Sequence, residues 1–311
     1  MFVGGAGTGK TQVIKDYLGT TKTDQVAYKT INFSSFTDAA SLQRDIESML
    51  DRKSGRTYGS AMNKTLIAFI DDLNMPFVET YGTQTPIQLL RQIIDYGSIF
   101  NRDQLEERKF IQDLLFFSCL NHKSGSFTVD LRLQRNFSSI TMYTPTDDII
   151  KRIFGEILKS HFSTPGFEEK LKNFSDKLME LTVMFFTRTI KNPQFSPSAK
   201  KFHYQFNFRE LAKITSGMLR STPQAYKNQN HVLRVWMHEV KRVFEDRFIN
   251  NEDTTLFRSI LKDSIVKTVG DFPEKDSPFT EPIIYVTFMS DIYNSCDDII
   301  ELRRVMKEKL D

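Results

Sequence analysis

Eight consecutive residues near the start, Gly4-Gly5-Ala6-Gly7-Thr8-Gly9-Lys10-Thr11, carry the most specific chemistry in the chain. They satisfy G-x-x-x-x-G-K-[ST], in which the glycines let successive backbone N–H groups turn inward around phosphate oxygens. Lys10 is placed to reach β- and γ-phosphates, and the Thr11 hydroxyl to ligate Mg²⁺. The helix expected to start here points its positive dipole end at the same anion. A second signal is the apolar run Leu66-Ile67-Ala68-Phe69-Ile70, which ends in Asp71-Asp72. A carboxylate at the end of a strand beside such a loop can hold the Mg²⁺ shell, the role expected of Asp71. Asp72 is the candidate for positioning and polarising an attacking water. Many nucleotidases of this kind carry Glu there; Asp, one methylene shorter, should hold the water less well and hydrolyse slowly. A third signal is Asn121, closing the run LLFFSCL, whose amide could orient that water. Arg132 and Arg135 follow, in LRLQR. They read either as surface charge or as side chains projecting onto a neighbouring subunit's phosphate.

These residues need a scaffold, and the first half of the chain spells one. Residues 11–18 read as a short helix stopping near Gly19, and residues 26–36 alternate as a strand does. Thr37-Asp38 can cap a helix whose Leu42, Ile46 and Leu50 share a face. Residues 54–64 are polar and read as a loop. Residues 66–70 and 114–120 are continuous apolar runs, typical of strands covered on both faces. A helix over residues 86–96 lies between them, and residues 138–143 form a shorter strand. Strands alternating with helices after a phosphate loop predict an α/β fold: a parallel sheet with helices on both faces and its site at the strand C-terminal ends. Met1-Phe2-Val3 is short for the strand that must feed the loop, so the chain is expected to begin inside a strand, as a piece of something longer.

Composition narrows the class. With 311 residues the chain can bury a core and hold about two domains. Its charge of +3, the difference between 42 basic and 39 acidic residues, offers no electrostatic case for nucleic acid. No apolar run reaches the roughly 18 residues of a membrane span, so no membrane partner is expected. Glycines and a lysine interrupt the N-terminal stretch at once, and no secretory leader is expected. Cys119 and Cys296 have no metal-ligand spacing and fit a reducing compartment.

From Thr146 the pattern becomes helical. Thr146-Asp147 caps a helix in which Ile149, Ile150, Ile153, Phe154, Ile157 and Leu158 form one broad apolar face. Residues 171–188, 207–219 and 231–250 read as further helices, and Arg209 falls in the first turn of the 207–219 helix. His231 and His238 read as structural. Beyond Asn250 a helix over 256–269, a short strand over 282–286 and a charged helix over 297–310 are expected.

Several strings are more specific than the loop. Phe69-Ile70-Asp71-Asp72-Leu73-Asn74-Met75-Pro76, Tyr81-Gly82-Thr83-Gln84-Thr85-Pro86-Ile87 and Leu90-Arg91-Gln92 resemble the third AAA+ module of dynein heavy chains of the axonemal type. The resemblance continues through Gly125-Ser126-Phe127, Leu131–Phe137, Tyr204–Leu211 and Trp236–Arg247. It implies a P-loop AAA+ large subdomain over 1–145, a small all-helical lid over 146–250 and a connector toward the next module over 251–311. It places Asn121 at sensor 1, Arg209 at sensor 2 on the lid, and Arg135, or failing that Arg132, at the arginine finger, which serves the preceding module's site. The finger completing the Lys10 site would come from the following module. Asn32 reads as an ordinary strand-edge Asn or as the residue that holds the water-activating carboxylate in standby.

The resemblance further implies ATP or ADP and Mg²⁺ as cofactors. As partners it implies neighbouring AAA+ modules of the same heavy chain and, through the parent protein, intermediate and light chains and microtubules. It implies a place in the cytoskeleton, in the axoneme of a cilium or flagellum. The expected activity is a slow, regulatory ATPase within an ATP-driven, minus-end-directed motor. A nucleotide-locked module that never turns over is the alternative, and an independent AAA+ remodelling ATPase a third. The tail, without its neighbour, is expected to pack poorly.

Overall fold

The computed structural model describes residues 1–21, 24–60, 64–122, 129–270, 277–287, 292–296 and 298–310. The chain divides into two compact units, Met1–Thr144 and Pro145–Asp311.

The first unit is built on a five-stranded sheet in the order β2-β5-β8-β1-β9. The strands are β1 (Phe2–Gly4), β2 (Val26–Asn32), β5 (Thr65–Asp71), β8 (Leu114–Asn121) and β9 (Ile140–Met142), and all neighbours run parallel. Leu66 to Ile70 are all buried, as a strand covered on both faces requires. Helix α1 (Lys10–Thr20) buries Ile14 and Leu18 with Phe69 and Cys119. Helices α2 (Ala39–Glu47) and α3 (Thr85–Tyr96) pack Leu42, Ile46, Leu90 and Ile93 in a second cluster with Ile31, Ala68 and Ile70. Asp38 caps α2 in a reciprocal capping box with Ser41.

Several expectations need correcting. The strand expected over 26–36 ends at Asn32. The polar stretch taken as a loop holds most of a hairpin, β3 (Asp51–Ser54) and β4 (Thr57–Gly59). With β6 (Ser98–Phe100) and β7 (Arg108–Ile111) it makes a four-stranded sheet in the order β3-β4-β7-β6. Every residue of β3 is exposed, so no apolar alternation marks it.

The second unit is helical: α5 (Asp147–Phe162), α6 (Glu169–Lys191), α7 (Phe208–Met218), α8 (Gln229–Phe244), α9 (Asn251–Val269) and α10 (Ile299–Leu310). Its centre is aromatic, with Phe185 edge-on to Trp236, Phe244 and Phe257 at ring-centroid distances of 6.1, 5.7 and 5.3 Å. The helix expected to run to Asn250 stops at Phe244, and Asn250 instead precedes α9. Helix α5 buries Ile150 and Leu158 but leaves Ile149, Ile153 and Ile157 exposed, so the broad apolar face is half used.

Part of the described tail packs better than expected, although α10 buries only Leu302. Ile283, Tyr285 and Tyr293 belong to the buried core of this unit. Strands β10 (Tyr285–Val286) and β11 (Asn294–Ser295) pair antiparallel. Arg234 of α8 donates to the Thr280 and Pro282 carbonyls at 2.9 and 3.2 Å. His238 Nδ1 donates to the Ile283 carbonyl at 3.2 Å. Burial holds His238 below the ordinary histidine value of 6.5.

Candidate functional site

Strand β1 ends at Gly4, in register with Asn121 on one side and Met142 on the other. A side chain at Gly4 would drive its Cβ to 2.5 Å from the Met142 carbonyl, so only glycine lets the neighbouring strand approach this closely. Gly7 and Gly9 take left-handed backbone, φ 76° and 86°, which turns the chain into α1. The Thr8 hydroxyl donates to the Gly5 carbonyl at 3.0 Å and tightens the loop. Lys10 is the first residue of α1 and only 8% exposed. Its ammonium donates to the Gly4 and Gly5 carbonyls at 3.1 and 2.7 Å, so the charge is held inside the loop that precedes it.

The structure brings Thr11 and Asp71 together. The Thr11 hydroxyl donates to Asp71 Oδ1 at 3.1 Å, joining the first turn of α1 to the end of β5. The same oxygen accepts the Asp72 backbone N–H at 3.1 Å. Two donors on one carboxylate oxygen fix its orientation. Asp72 is exposed, with φ 56°, the left-handed region that Asp and Asn tolerate better than most residues.

Asn121 ends β8, beside Gly4 and one strand from β5. A residue that sequence reasoning passed over holds it there. Asn74 is 2% exposed, and its amide pairs with the Asn121 backbone in both directions. Nδ2 donates to Asn121 O at 3.3 Å and Oδ1 accepts Asn121 N–H at 3.5 Å. Buried Gln84, just before α3, donates to the carbonyls of Pro76 at 2.7 Å and Asn74 at 3.5 Å. The chain leaving Asp72 is thus pinned to the end of β8 on one side and to the start of α3 on the other. The signal lay in the sequence: Asn74 and Gln84 are amides inside specific strings, but a side chain that serves backbone groups has no chemical signature of its own.

Beneath the site lies Cys119, buried in β8. Burial, with the Asp71 charge adding to it, pushes its thiol up to about 12, so it stays protonated and inert. Asn32 is exposed at the end of β2, in register with Asp71.

The arginines lie on other elements. Arg132 lies in the short helix α4 (Leu131–Gln134 in the first unit) and Arg135 directly after it. This four-residue helix precedes β9. Arg135 is 65% exposed at its side chain and pairs with Asp95 of α3 at 3.4 Å, not with any loop residue. Asp130 caps α4 through the Arg132 N–H at 2.9 Å and accepts Gln88 Nε2 at 3.1 Å. Arg209, exposed in the first turn of α7, belongs to the second unit; Asn207 and Glu210 form a capping box around it. Gly125-Ser126-Phe127 lies outside the described residues.

Comparison with known proteins follows this division. Residues 1–145 match the family model of the P-loop containing dynein motor region, and residues 178–277 that of the AAA+ lid domain. The chain is similar to the dynein beta chain of the flagellar outer arm of Chlamydomonas reinhardtii, at 34% identity across 100% of this chain and 7% of that protein. It is similar to dynein axonemal heavy chain 11 of Sus scrofa, at 36% identity across 95% of this chain and 6% of the relative. Dynein axonemal heavy chain 9 of Homo sapiens is 35% identical across 94% of this chain and 6% of its own length. The chain therefore spans 6 to 7% of the length of these relatives.

Proposed function

Residues 1–145 are a dynein-type P-loop motor region with an AAA+ lid domain after it, and from that premise we propose that the chain is the third AAA+ module of an axonemal dynein heavy chain. In this reading it binds Mg·ATP, hydrolyses it slowly and regulates the main motor. The observation that carries the nucleotide reading is the 3.1 Å contact between the Thr11 hydroxyl and Asp71, beside the glycine loop. Two hard oxygen donors so placed suit Mg²⁺. When bound, the ion would neutralise charge on the β- and γ-phosphate oxygens.

The chain's own residues supply the rest. Lys10 exchanges its bonds to the Gly4 and Gly5 carbonyls for phosphate oxygens. Asp72 polarises the attacking water, and Asn121, its backbone fixed by Asn74, orients it. Arg209, carried by the lid, is the proposed sensor for the γ-phosphate. Arg135 serves the preceding module's nucleotide, and the following module supplies the finger for the Lys10 site. Partners are then the flanking modules of the same heavy chain and, through the parent, intermediate chains, light chains and microtubules. The names of the relatives, flagellar outer arm and axonemal, favour work in a cilium or flagellum.

The purified 311-residue chain should bind a fluorescent ATP analogue with Mg²⁺ and show almost no turnover. Lys10→Ala should weaken that binding on the order of 100-fold. Brisk hydrolysis by the isolated chain would contradict the dependence on a neighbour's arginine. The left-handed, exposed Asp72 favours a second reading, a nucleotide-locked module that holds ATP or ADP without cycling. Following radiolabelled nucleotide in a whole heavy chain with only this site intact separates the two: release of phosphate supports cycling, and permanent retention supports the lock.

A further inference from the structure

A groove of about 570 Å³ opens on the first unit between α3 and the β6–β7 hairpin, on elements other than those of the nucleotide loop. Its walls include Leu89, Arg91, Tyr96, Phe100, Arg102 and Arg108. Three guanidinium groups on one groove are unexpected in a chain whose charges nearly balance. Arg91 has an acidic partner, but the contacts of Arg102 and Arg108 do not neutralise those two. Arg91 reaches Asp130 at 3.7 Å, a loose pairing. Arg102 gives Nε to the neutral Gln43 Oε1 at 2.8 Å. Arg108 lies over the Phe100 ring, 5.2 Å from its centroid. Among the described residues Arg108 Nε is buried with no hydrogen-bond partner, and neither Arg102 nor Arg108 forms an ion pair. Of the acids on neighbouring elements, Glu47 takes Lys109 at 3.1 Å, and Glu107 accepts the Asn101 amide at 3.1 Å.

A buried donor left unsatisfied is costly, and a guanidinium is shaped to take a carboxylate through two parallel bonds. Beside these cations the groove shows an apolar wall. Phe100 is 42% exposed and Tyr96 67% exposed. Aromatic and arginine side chains together, with no acid of the groove's own to balance them, are the composition of a protein docking surface. We infer that this groove docks an acidic segment of another polypeptide, one whose carboxylates meet Arg102 and Arg108 while an aliphatic or aromatic residue covers Phe100 and Tyr96. This inference is independent of nucleotide turnover.

The test uses the full 311-residue chain and a fluorescein-labelled twelve-residue peptide alternating Asp and Glu with Leu and Phe, read by fluorescence anisotropy at physiological salt. The comparison peptide carries Asn and Gln in place of the acids. The acidic peptide should bind at least about tenfold more tightly than the neutral one, and Arg102→Gln/Arg108→Gln should remove that advantage. Tyr96→Ser, an exposed change that leaves the core intact, should weaken binding several-fold and serves if the double variant misfolds. Lys15→Gln, at an exposed position of α1, should leave binding unchanged. Equal binding of both peptides, or of neither, overturns the inference. So does an equal loss in Lys15→Gln, which would mean general charge attraction. Displacement by inorganic polyphosphate as readily as by unlabelled acidic peptide would make the groove a general anion trap and also overturn it.

Discussion

The strand ends of the first unit and the helix contacts of the second use the same kinds of polar group for opposite purposes. At the strand ends Asp71 is half-buried and Asp72 exposed, so both stay within reach of solvent while Asp71 is oriented by two donors. In the second unit Asp253 is fully buried between Lys201, Tyr204 and Gln194, with bonds of 2.7 to 3.1 Å reaching both carboxylate oxygens. Burial would raise its carboxyl, but those bonds more than offset it and hold the group below the usual 3.8. Glu239 is likewise closed in. Tyr293 donates to Oε1 at 2.6 Å, and Arg242 donates twice to Oε2. Burial, reinforced by Glu239, pushes the Tyr293 phenol upward, so it remains a donor at any physiological pH. A carboxylate with both oxygens taken by its own fold is scaffold; one oriented yet left open is equipped for chemistry.

The largest test of this contrast lies in the scaffold. A Cβ at Gly217 of α7 would overlap the Glu239 carboxylate, which its three bonds prevent from yielding. Gly217→Ala should cost the second unit about 3 kcal/mol. Trp236 is the sole tryptophan and is buried in that unit, so denaturant unfolding followed by its fluorescence reads the loss directly. Nucleotide affinity of the first unit should hold; a large parallel loss would mean that scaffold and site are not separable.

Next comes the loop lysine. Lys10→Ala should weaken Mg·ATP binding on the order of 100-fold, since a charge-assisted contact to phosphate is lost. The melting temperature without nucleotide should shift little, because the ammonium donates to loop carbonyls and not to the sheet. A collapse in stability would recast Lys10 as scaffold.

Asn74 lies between the two kinds. Asn74→Ala leaves the Asn121 N–H and carbonyl without these partners and should cost about 1 to 3 kcal/mol, comparable to other unsatisfied buried groups. If the clamp positions Asn121, turnover in an assembled heavy chain should fall more than nucleotide affinity does. Equal losses in both would reduce the clamp to packing.

The smallest effect is with pH. His238 and His161 are both held below 6.5 chiefly by burial. As pH falls under about 6.5 the unfolded chain takes up these protons first, so stability of the second unit present above that pH is lost below it. Once the folded-state values are passed the decline levels off. A second loss should begin below 3.8, where Asp253 is protonated first in the unfolded chain. His238→Gln should flatten the first slope in the Trp236 unfolding curves; an unchanged slope removes His238 from the account.

Much of this was readable in the residues. The glycine loop, the apolar strands and the capping residues each act locally, through backbone freedom or burial, and the folded chain follows them. Thr11 and Asp71 were legible as partners because each has its own chemistry. What escaped depends on context. The β3–β4 hairpin is short and charged, stabilised by pairing and not by a buried face. Ile149, Ile153 and Ile157 have perfect helical spacing, yet spacing says which residues share a face and not whether anything covers it. The packed tail escaped because its anchors are carbonyl oxygens gripped by Arg234, and every residue type has one.

The left-handed backbone at Asp72 has an evolutionary reading. Exchanging that residue for glutamate looks like the simplest route to a faster hydrolase, a single lengthened side chain. At φ 56° the exchange also removes one of the few side chains that sit comfortably in such a turn. Speed at this position is therefore tied to the shape of the chain leaving β5, and a lineage could not change one without remodelling the other. The slow turnover proposed for this site would then be inherited with its curve.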